Sequence, residues 1–175
     1  MNETSKFLLA VFAADVFAFG ANGEGEAEEA FESGKAAYRQ GNYQKAIADY
    51  NQAIKFAPKN ATAYNSRGAA YAALGDYGKA IADYNQAIKL NPKHAIAYNN
   101  RGCAYYKLGD YKTAIADYTQ AITLDLNDAD AYNNRGCAYY KLGYLKSATK
   151  DARKARELGN CDLLQYMEKN KFLRD

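Results

Sequence analysis

The sequence repeats itself with a fixed period. The segment AYNNRGCAYYKLG occurs twice without change, at Ala97–Gly109 and Ala131–Gly143, and a looser copy, AYNSRGAAYAALG, occupies Ala63–Gly75. The copies begin 34 residues apart. This period predicts an array of structural units that bury their apolar faces against one another, because one such short unit cannot bury its own.

The sequence contains four units. They span residues 27–60, 61–94, 95–128 and 129–162, the last of them degenerate. In each unit, apolar and small residues recur at helical spacing in two runs separated by a turn. A turn such as Gly75-Asp76 supplies a glycine for the end of one helix and a capping residue for the next. Each unit is therefore predicted to be a pair of antiparallel helices.

Several positions of the unit are shared by most copies. They are a glycine (Gly34, Gly68, Gly102, Gly136), an alanine (Ala46, Ala80, Ala114, Ala148), the Gly-Asp-Tyr turn, and a proline at Pro58 and Pro92. This pattern resembles the tetratricopeptide repeat family over residues 27–162. The resemblance implies an all-α fold, a right-handed superhelical stack of antiparallel helix pairs with the first helix of each pair lining a concave face. It implies protein binding and no chemistry.

In that arrangement the concave face carries asparagine, tyrosine and basic side chains. The predicted groove residues are Asn65, Asn99, Asn100, Asn133, Asn134, Tyr106, Tyr140, Lys107, Lys141 and Arg39. An asparagine has a donor and an acceptor on one short arm, so a row of them can bind successive peptide groups of an extended chain. The basic residues favour an acidic segment or a C-terminal carboxylate as the partner. The alternative is that these side chains are only solvated helix surface.

A second pair of positions combines opposite charges. Arginines stand at one position of the first helices and aspartates at one position of the second helices: Arg67, Arg101 and Arg135, and Asp49, Asp83, Asp117 and Asp151. We predict a structural ladder of bidentate ion pairs. The sequence leaves open whether an arginine pairs within its own unit or with the preceding one.

The two ends of the chain differ from the array. Residues 1–26 form a lead in which the apolar run Phe7–Ala14 precedes candidate cleavage sites after Ala18 or Gly20, followed by an acidic linker at residues 22–29. A signal peptide would mean an exported or periplasmic protein; the alternative is a cytoplasmic one. The run is far shorter than the roughly 20 residues of a membrane-spanning helix, so no stable membrane insertion of the mature chain is expected. Residues 163–175 are predicted to form a capping helix and tail.

The composition argues against several classes of function. A net charge of +3 without an arginine-rich run does not favour nucleic-acid binding. The single histidine, His94, and three cysteines offer no metal cluster, so no metal, cofactor or enzymatic activity is predicted. Cys103 and Cys137 are expected to remain unbridged, and a lysine four residues after each of them could lower its thiol pKa.

The predicted function is that of a non-enzymatic protein-interaction module which binds an extended peptide or a partner helix in the concave groove. Family members that clamp chaperone C-termini use lysine, asparagine and arginine from several repeats. Here Phe31, Thr62 and Ile96 stand at other positions of such a clamp, which argues against a chaperone-tail role. The alternatives are a self-assembling scaffold that forms homo-oligomers and a regulatory subunit of a larger complex.

Overall fold

The computed structural model describes residues 23–170. Within that range the chain forms nine helices and no strand. They are α1 (23–39), α2 (Tyr43–Phe56), α3 (Ala61–Ala73), α4 (Tyr77–Leu90), α5 (Ala95–Lys107), α6 (Tyr111–Leu124), α7 (Ala129–Lys141), α8 (Leu145–Glu157) and α9 (Asp162–Lys169).

Local signals in the sequence determine where these helices begin and end. In the turn before α4, Gly75 adopts a φ of +81°, which L side chains rarely adopt, and the Asp76 side chain accepts a hydrogen bond from the Lys79 N–H at 3.1 Å. The turns before α2 and α6 are built in the same way, with Asn42 and Asp110 as caps. The α4 helix ends two residues before Pro92, since the residue before a proline is disfavoured in helical conformation. The second helices of the four units begin at Tyr43, Tyr77, Tyr111 and Leu145.

The helices stack in chain order. Each of α3, α5 and α7 packs against the second helix of its own unit and that of the preceding unit. Neighbouring first helices also touch, α3 with α5 and α5 with α7, whereas among α2 to α8 no two second helices do. The layer of first helices is therefore the inner side of the curved stack. The fold is the expected all-α, right-handed superhelical stack with a C-terminal helix, and its first helices line the concave surface.

Glycine and tyrosine positions set how closely the two helices of a unit approach. A Cβ on Gly34, Gly68 or Gly102 would lie only 2.6–2.8 Å from a ring carbon of a buried tyrosine, respectively Tyr50, Tyr84 and Tyr118. The fourth unit has Ala152 at the tyrosine position, and Leu163 of α9 occupies the space against Gly136 instead. The C-terminal helix thus completes the core of the last unit.

The ends of the array depart from the prediction in one respect. The described part of the acidic segment, residues 23–29, is helical and belongs to α1, so the linker prediction is wrong there. Alanine and glutamate are strong helix formers, and Ala27 is buried in the stack. The candidate signal peptide and residues 171–175 lie outside the described residues. None of the described helices is both long and apolar enough to cross a membrane.

Candidate functional site

Three arginines of the first helices form bidentate ion pairs with aspartates of the second helices. Arg101 Nε and Nη2 donate to Asp117 Oδ2 and Oδ1 at 2.8 and 2.7 Å. The Arg67–Asp83 and Arg135–Asp151 pairs have the same geometry. Hydrogen bonding to the carboxylate raises the pKa of the Arg101 guanidinium, which stays charged. Each arginine therefore pairs within its own unit.

The same guanidinium also reaches the preceding unit. Arg101 Nη1 donates to Asn85 Oδ1 on α4 at 2.6 Å, and the guanidinium lies 5.5 Å from the ring centre of Tyr98. The equivalent acceptors for Arg67 and Arg135 are Asn51 and Thr119. One side chain thus connects three consecutive helices. These acceptors were not predicted, although each lies 16 residues before its arginine, as each aspartate lies 16 residues after it.

The first unit lacks this connection because Ser33 replaces the arginine. Asp49 instead accepts hydrogen bonds from Ser33 Oγ at 2.7 Å and Lys45 Nζ at 2.6 Å. Burial acts to raise the pKa of Asp49, but these two donors outweigh it and lower the pKa. A cavity of about 300 Å³ lies at this position, where the later units have an arginine. It is lined in part by Glu26, Glu29, Ser33 and Asp49.

The asparagines of the concave surface bind one another across unit boundaries. Asn100 Nδ2 donates to Asn65 Oδ1 at 3.1 Å, and Asn134 Nδ2 donates to Asn99 Oδ1 at 3.2 Å. The side-chain oxygens of Asn65 and Asn99 therefore already accept a hydrogen bond within the chain. The row joins neighbouring first helices, in addition to any role toward a ligand.

The last members of the predicted groove lie against α9. Asn133 is nearly buried, and its Oδ1 accepts a hydrogen bond from the Leu163 N–H in the first turn of α9 at 3.0 Å. The ring of Tyr140 contacts Tyr166 edge-on, with 5.8 Å between ring centres. The sequence placed both residues in the groove because their segment repeats that of the third unit. In the structure, α9 closes the concave surface at this point.

Two cavities of similar size open on the concave surface. The first, of about 200 Å³, lies between α1 and α3, and the second, of about 190 Å³, lies between α5 and α7. The first is lined by Lys35, Tyr38, Arg39, Tyr50, Asn65, Ser66 and Ala69. The second is lined by Cys103, Tyr106, Lys107, Tyr118, Asn134 and Cys137. Each residue of the second cavity occupies the repeat position of a residue of the first, two units later.

Aromatic and basic side chains line both cavities. Tyr38 packs edge-on against Tyr43 at 5.3 Å between ring centres, and Tyr106 packs on Tyr111 in the same way at 5.1 Å. Burial raises the pKa of Tyr38 and Tyr106, so both hydroxyls remain protonated and can donate. The next residue along each helix is an exposed cation, Arg39 or Lys107. None of the described residues that line either cavity is acidic.

The two cysteines of the second cavity are free thiols, as expected. Burial raises the pKa of the Cys103 thiol, and the attraction of Lys107 is too weak to reverse the shift. The Cys137 thiol pKa is also raised, first by burial and then by Asp162, against the weaker pull of Lys141. The lysines act in the expected direction, but burial outweighs them, so neither thiol pKa is lowered. The cavity presents neutral thiols.

Comparison with known families agrees with this architecture. A family model described as TPR repeat matches residues 34–75, 70–109 and 102–143, and one described as tetratricopeptide repeat matches residues 129–158. The chain belongs to the tetratricopeptide repeat family. Proteins of this family are generally non-enzymatic interaction modules.

The chain is similar to a chloroplast envelope protein and to solved structures of other proteins. Outer envelope protein 64, chloroplastic, from Arabidopsis thaliana is 47% identical over 51 residues, which is 29% of this chain and only 9% of that relative's length. The crystal structure of MamA has a TM-score of 0.71 and 29% identity, covering 75% of this chain and 77% of that one. The Arabidopsis OM64 TPR domain has a TM-score of 0.67 and 32% identity, covering 67% and 98%.

A further structural neighbour holds a ligand. The first TPR of Spaghetti (RPAP3), bound to the HSP90 peptide SRMEEVD, has a TM-score of 0.67 and 29% identity, covering 69% of this chain and 95% of that one.

Proposed function

We propose that this protein is a non-enzymatic interaction module that binds an extended, acidic segment of a partner protein on its concave surface. The observation that carries the proposal is the pair of repeat-equivalent cavities on that surface, each combining a tyrosine hydroxyl, a cation and an amide or hydroxyl group without a lining carboxylate. Donor groups of this kind favour carboxylates and peptide carbonyl groups as ligands.

The structural neighbours support binding of a peptide. The TPR domain of Spaghetti (RPAP3) holds a peptide whose sequence, SRMEEVD, contains three acidic residues. We propose the ligand class for this chain, and not that partner, because Phe31 and Ile96 stand where a chaperone-tail clamp would need other side chains.

A blocking substitution between the two cavities tests the proposal. Ala73 is exposed on the concave surface at the end of α3, at the repeat position of Arg39 and Lys107. A tryptophan there lies in the path of any extended chain that passes from one cavity to the other. Ala82→Trp, at an exposed alanine on α4, is the matched control because it adds the same side chain to the other layer of helices.

The measurement uses peptides selected from an unbiased displayed library against the wild-type chain. We expect Ala73→Trp to weaken binding of the selected peptides at least tenfold, or by about 1.4 kcal/mol, while Ala82→Trp leaves it unchanged. Circular dichroism establishes that both variants keep their helical content. If both variants bind as wild type does, or if both lose binding equally, the concave-surface proposal is wrong. Size-exclusion chromatography at several protein concentrations separates a peptide-binding monomer from a self-assembling scaffold.

A further inference from the structure

The concave surface offers a ligand two equivalent positions instead of a continuous row. The cavity with Tyr38 and Arg39 and the cavity with Tyr106 and Lys107 repeat the same arrangement two units apart. In the unit between them, the tyrosine position holds Ala72 and the cation position holds Ala73. The intermediate unit therefore supplies neither the ring nor the charge.

The fourth unit does not extend the series. Its tyrosine, Tyr140, lies against Tyr166 of α9, and its first asparagine, Asn133, accepts a hydrogen bond from the α9 backbone. A ligand that follows the concave surface meets α9 beyond the second cavity. The groove thus contains one anchor position near each end and a small-residue segment between them.

The fold sets the distance between the two anchors. Among α3, α5 and α7, neighbouring first helices are in contact, and packed helices lie about 8–10 Å apart. If α1 continues the same spacing, equivalent points two units apart are separated by about 16–20 Å. An extended chain advances about 3.3 Å per residue, so a bound segment would span this distance with about five to six residues.

The charges at the two anchors determine which ligand group each anchor can bind. Arg39 and Lys107 are exposed at the rims of their cavities, beside the tyrosine hydroxyls. Lys35, also at the first cavity, is held by Glu32 at 2.6 Å and is partly neutralised. Each anchor therefore carries one exposed cation next to a hydroxyl donor, which fits one carboxylate.

We infer that the protein recognises a bipartite acidic motif: two acidic side chains about six residues apart in an extended segment. One carboxylate lies beside Arg39 and Tyr38, and the other beside Lys107 and Tyr106. The residues between them pass over Ala72 and Ala73 and contribute little to sequence preference. This inference rests on the proposed function and specifies its ligand.

Synthetic peptides of defined spacing test the inference on the full chain by fluorescence anisotropy. Each labelled peptide carries two glutamates in an otherwise uncharged background, separated by roughly three, six or nine residues. We expect the separation of about six to bind roughly tenfold tighter than the others and than a peptide with one glutamate, because the second contact then forms within one complex.

Single substitutions identify the anchors. Arg39→Gln and Lys107→Gln should each weaken the best peptide about fivefold, which corresponds to about 1 kcal/mol. Lys89→Gln, at an exposed lysine on α4, removes the same charge and should leave affinity unchanged. The double change Ala72→Tyr with Ala73→Lys adds an anchor to the second unit, beside Tyr77. It should raise the affinity for the peptide whose glutamates are separated by about three residues.

Two results would overturn the bipartite motif. One is equal affinity at every glutamate separation, and the other is an equal loss from Lys89→Gln and Lys107→Gln. Either result leaves the proposed function intact if the Ala73→Trp variant still binds the library-selected peptides more weakly than wild type does. If that variant also binds normally, both the motif and the concave-surface function are wrong.

Discussion

The ion pair between Arg101 and Asp117 provides the sharpest test of how the stack is held together. Arg101→Leu removes both bonds to the carboxylate, the bond to Asn85 and the stacking on Tyr98. The Asp117 side chain is only 7% exposed, so it would remain as a nearly buried charge without its partner.

The expected cost follows from this burial. Breaking a buried ion pair by removing one partner costs about 3–5 kcal/mol, mainly because the remaining charge is left uncompensated. The arginine side chain is 20% exposed, so water can reach part of the vacated space and the cost should lie near the lower limit. We therefore expect Arg101→Leu to lower the free energy of unfolding by about 3 kcal/mol.

Urea unfolding followed by circular dichroism measures this change, with the transition midpoint and slope compared between variants. Lys89→Leu is the control, because it makes the same chemical change at an exposed site and should stay within about 0.5 kcal/mol of wild type. Combining Arg101→Leu with Asp117→Asn should cost at least about 1 kcal/mol less than the sum of the two single changes. An unchanged midpoint for Arg101→Leu together with loss of peptide binding would refute the structural role and make the arginine a ligand-binding residue.

Four further outcomes follow from local geometry. His94 precedes α5 without a side-chain capping bond among the described residues, so His94→Asn should stabilise the chain by about 1 kcal/mol in urea unfolding. Burial lowers the pKa of His94, so the unfolded state takes up its proton first and wild-type stability should fall as the pH drops below about 6.5; His94→Asn should remove this loss. Gly102→Ala would place a Cβ 2.8 Å from a ring carbon of Tyr118 and should cost about 1–3 kcal/mol by thermal unfolding. The thiols of Cys103 and Cys137 should label more slowly at pH 8 in folded than in denatured protein. Mass spectrometry measures the labelling on the tryptic peptide GCAYYK, which both sites yield, and equal rates would contradict their partial burial.

The helices could be predicted from the sequence because their signals are local. The glycine and the capping side chain at Gly75-Asp76 act within a few residues of each other, and their recurrence every 34 residues separates them from chance. The third unit lacks the proline, yet Asp125 accepts a hydrogen bond from the Asn127 N–H and Asp128 caps α7, so polar side chains form this turn. Interactions within one turn leave a readable pattern in the chain.

The hydrogen-bonding partners of the concave surface could not be predicted in the same way. A shared repeat position shows that Asn65, Asn99 and Asn133 lie on equivalent faces, but not which groups of the next unit come within reach. That depends on the rotation and displacement between units, which the packing of each first helix against the second helix of the preceding unit determines. The sequence therefore indicated a row of asparagines free to bind a ligand, and the structure shows that this row also joins the units.

The two identical segments show most directly how context assigns a role. Tyr106 and Tyr140 have the same twelve neighbours in the sequence AYNNRGCAYYKLG, yet Tyr106 lines an open cavity and Tyr140 packs edge-on against Tyr166. The difference arises outside the segment: a full helix pair follows the third unit, whereas the short helix α9 follows the fourth and fills the space left by Ala152. Whether a tyrosine of this segment lines an open cavity is thus determined by the element that comes after its unit. The same reasoning predicts that removing α9 would expose the fourth tyrosine position only at the expense of the core around Leu163, so that the length of the groove and the stability of the last unit are coupled.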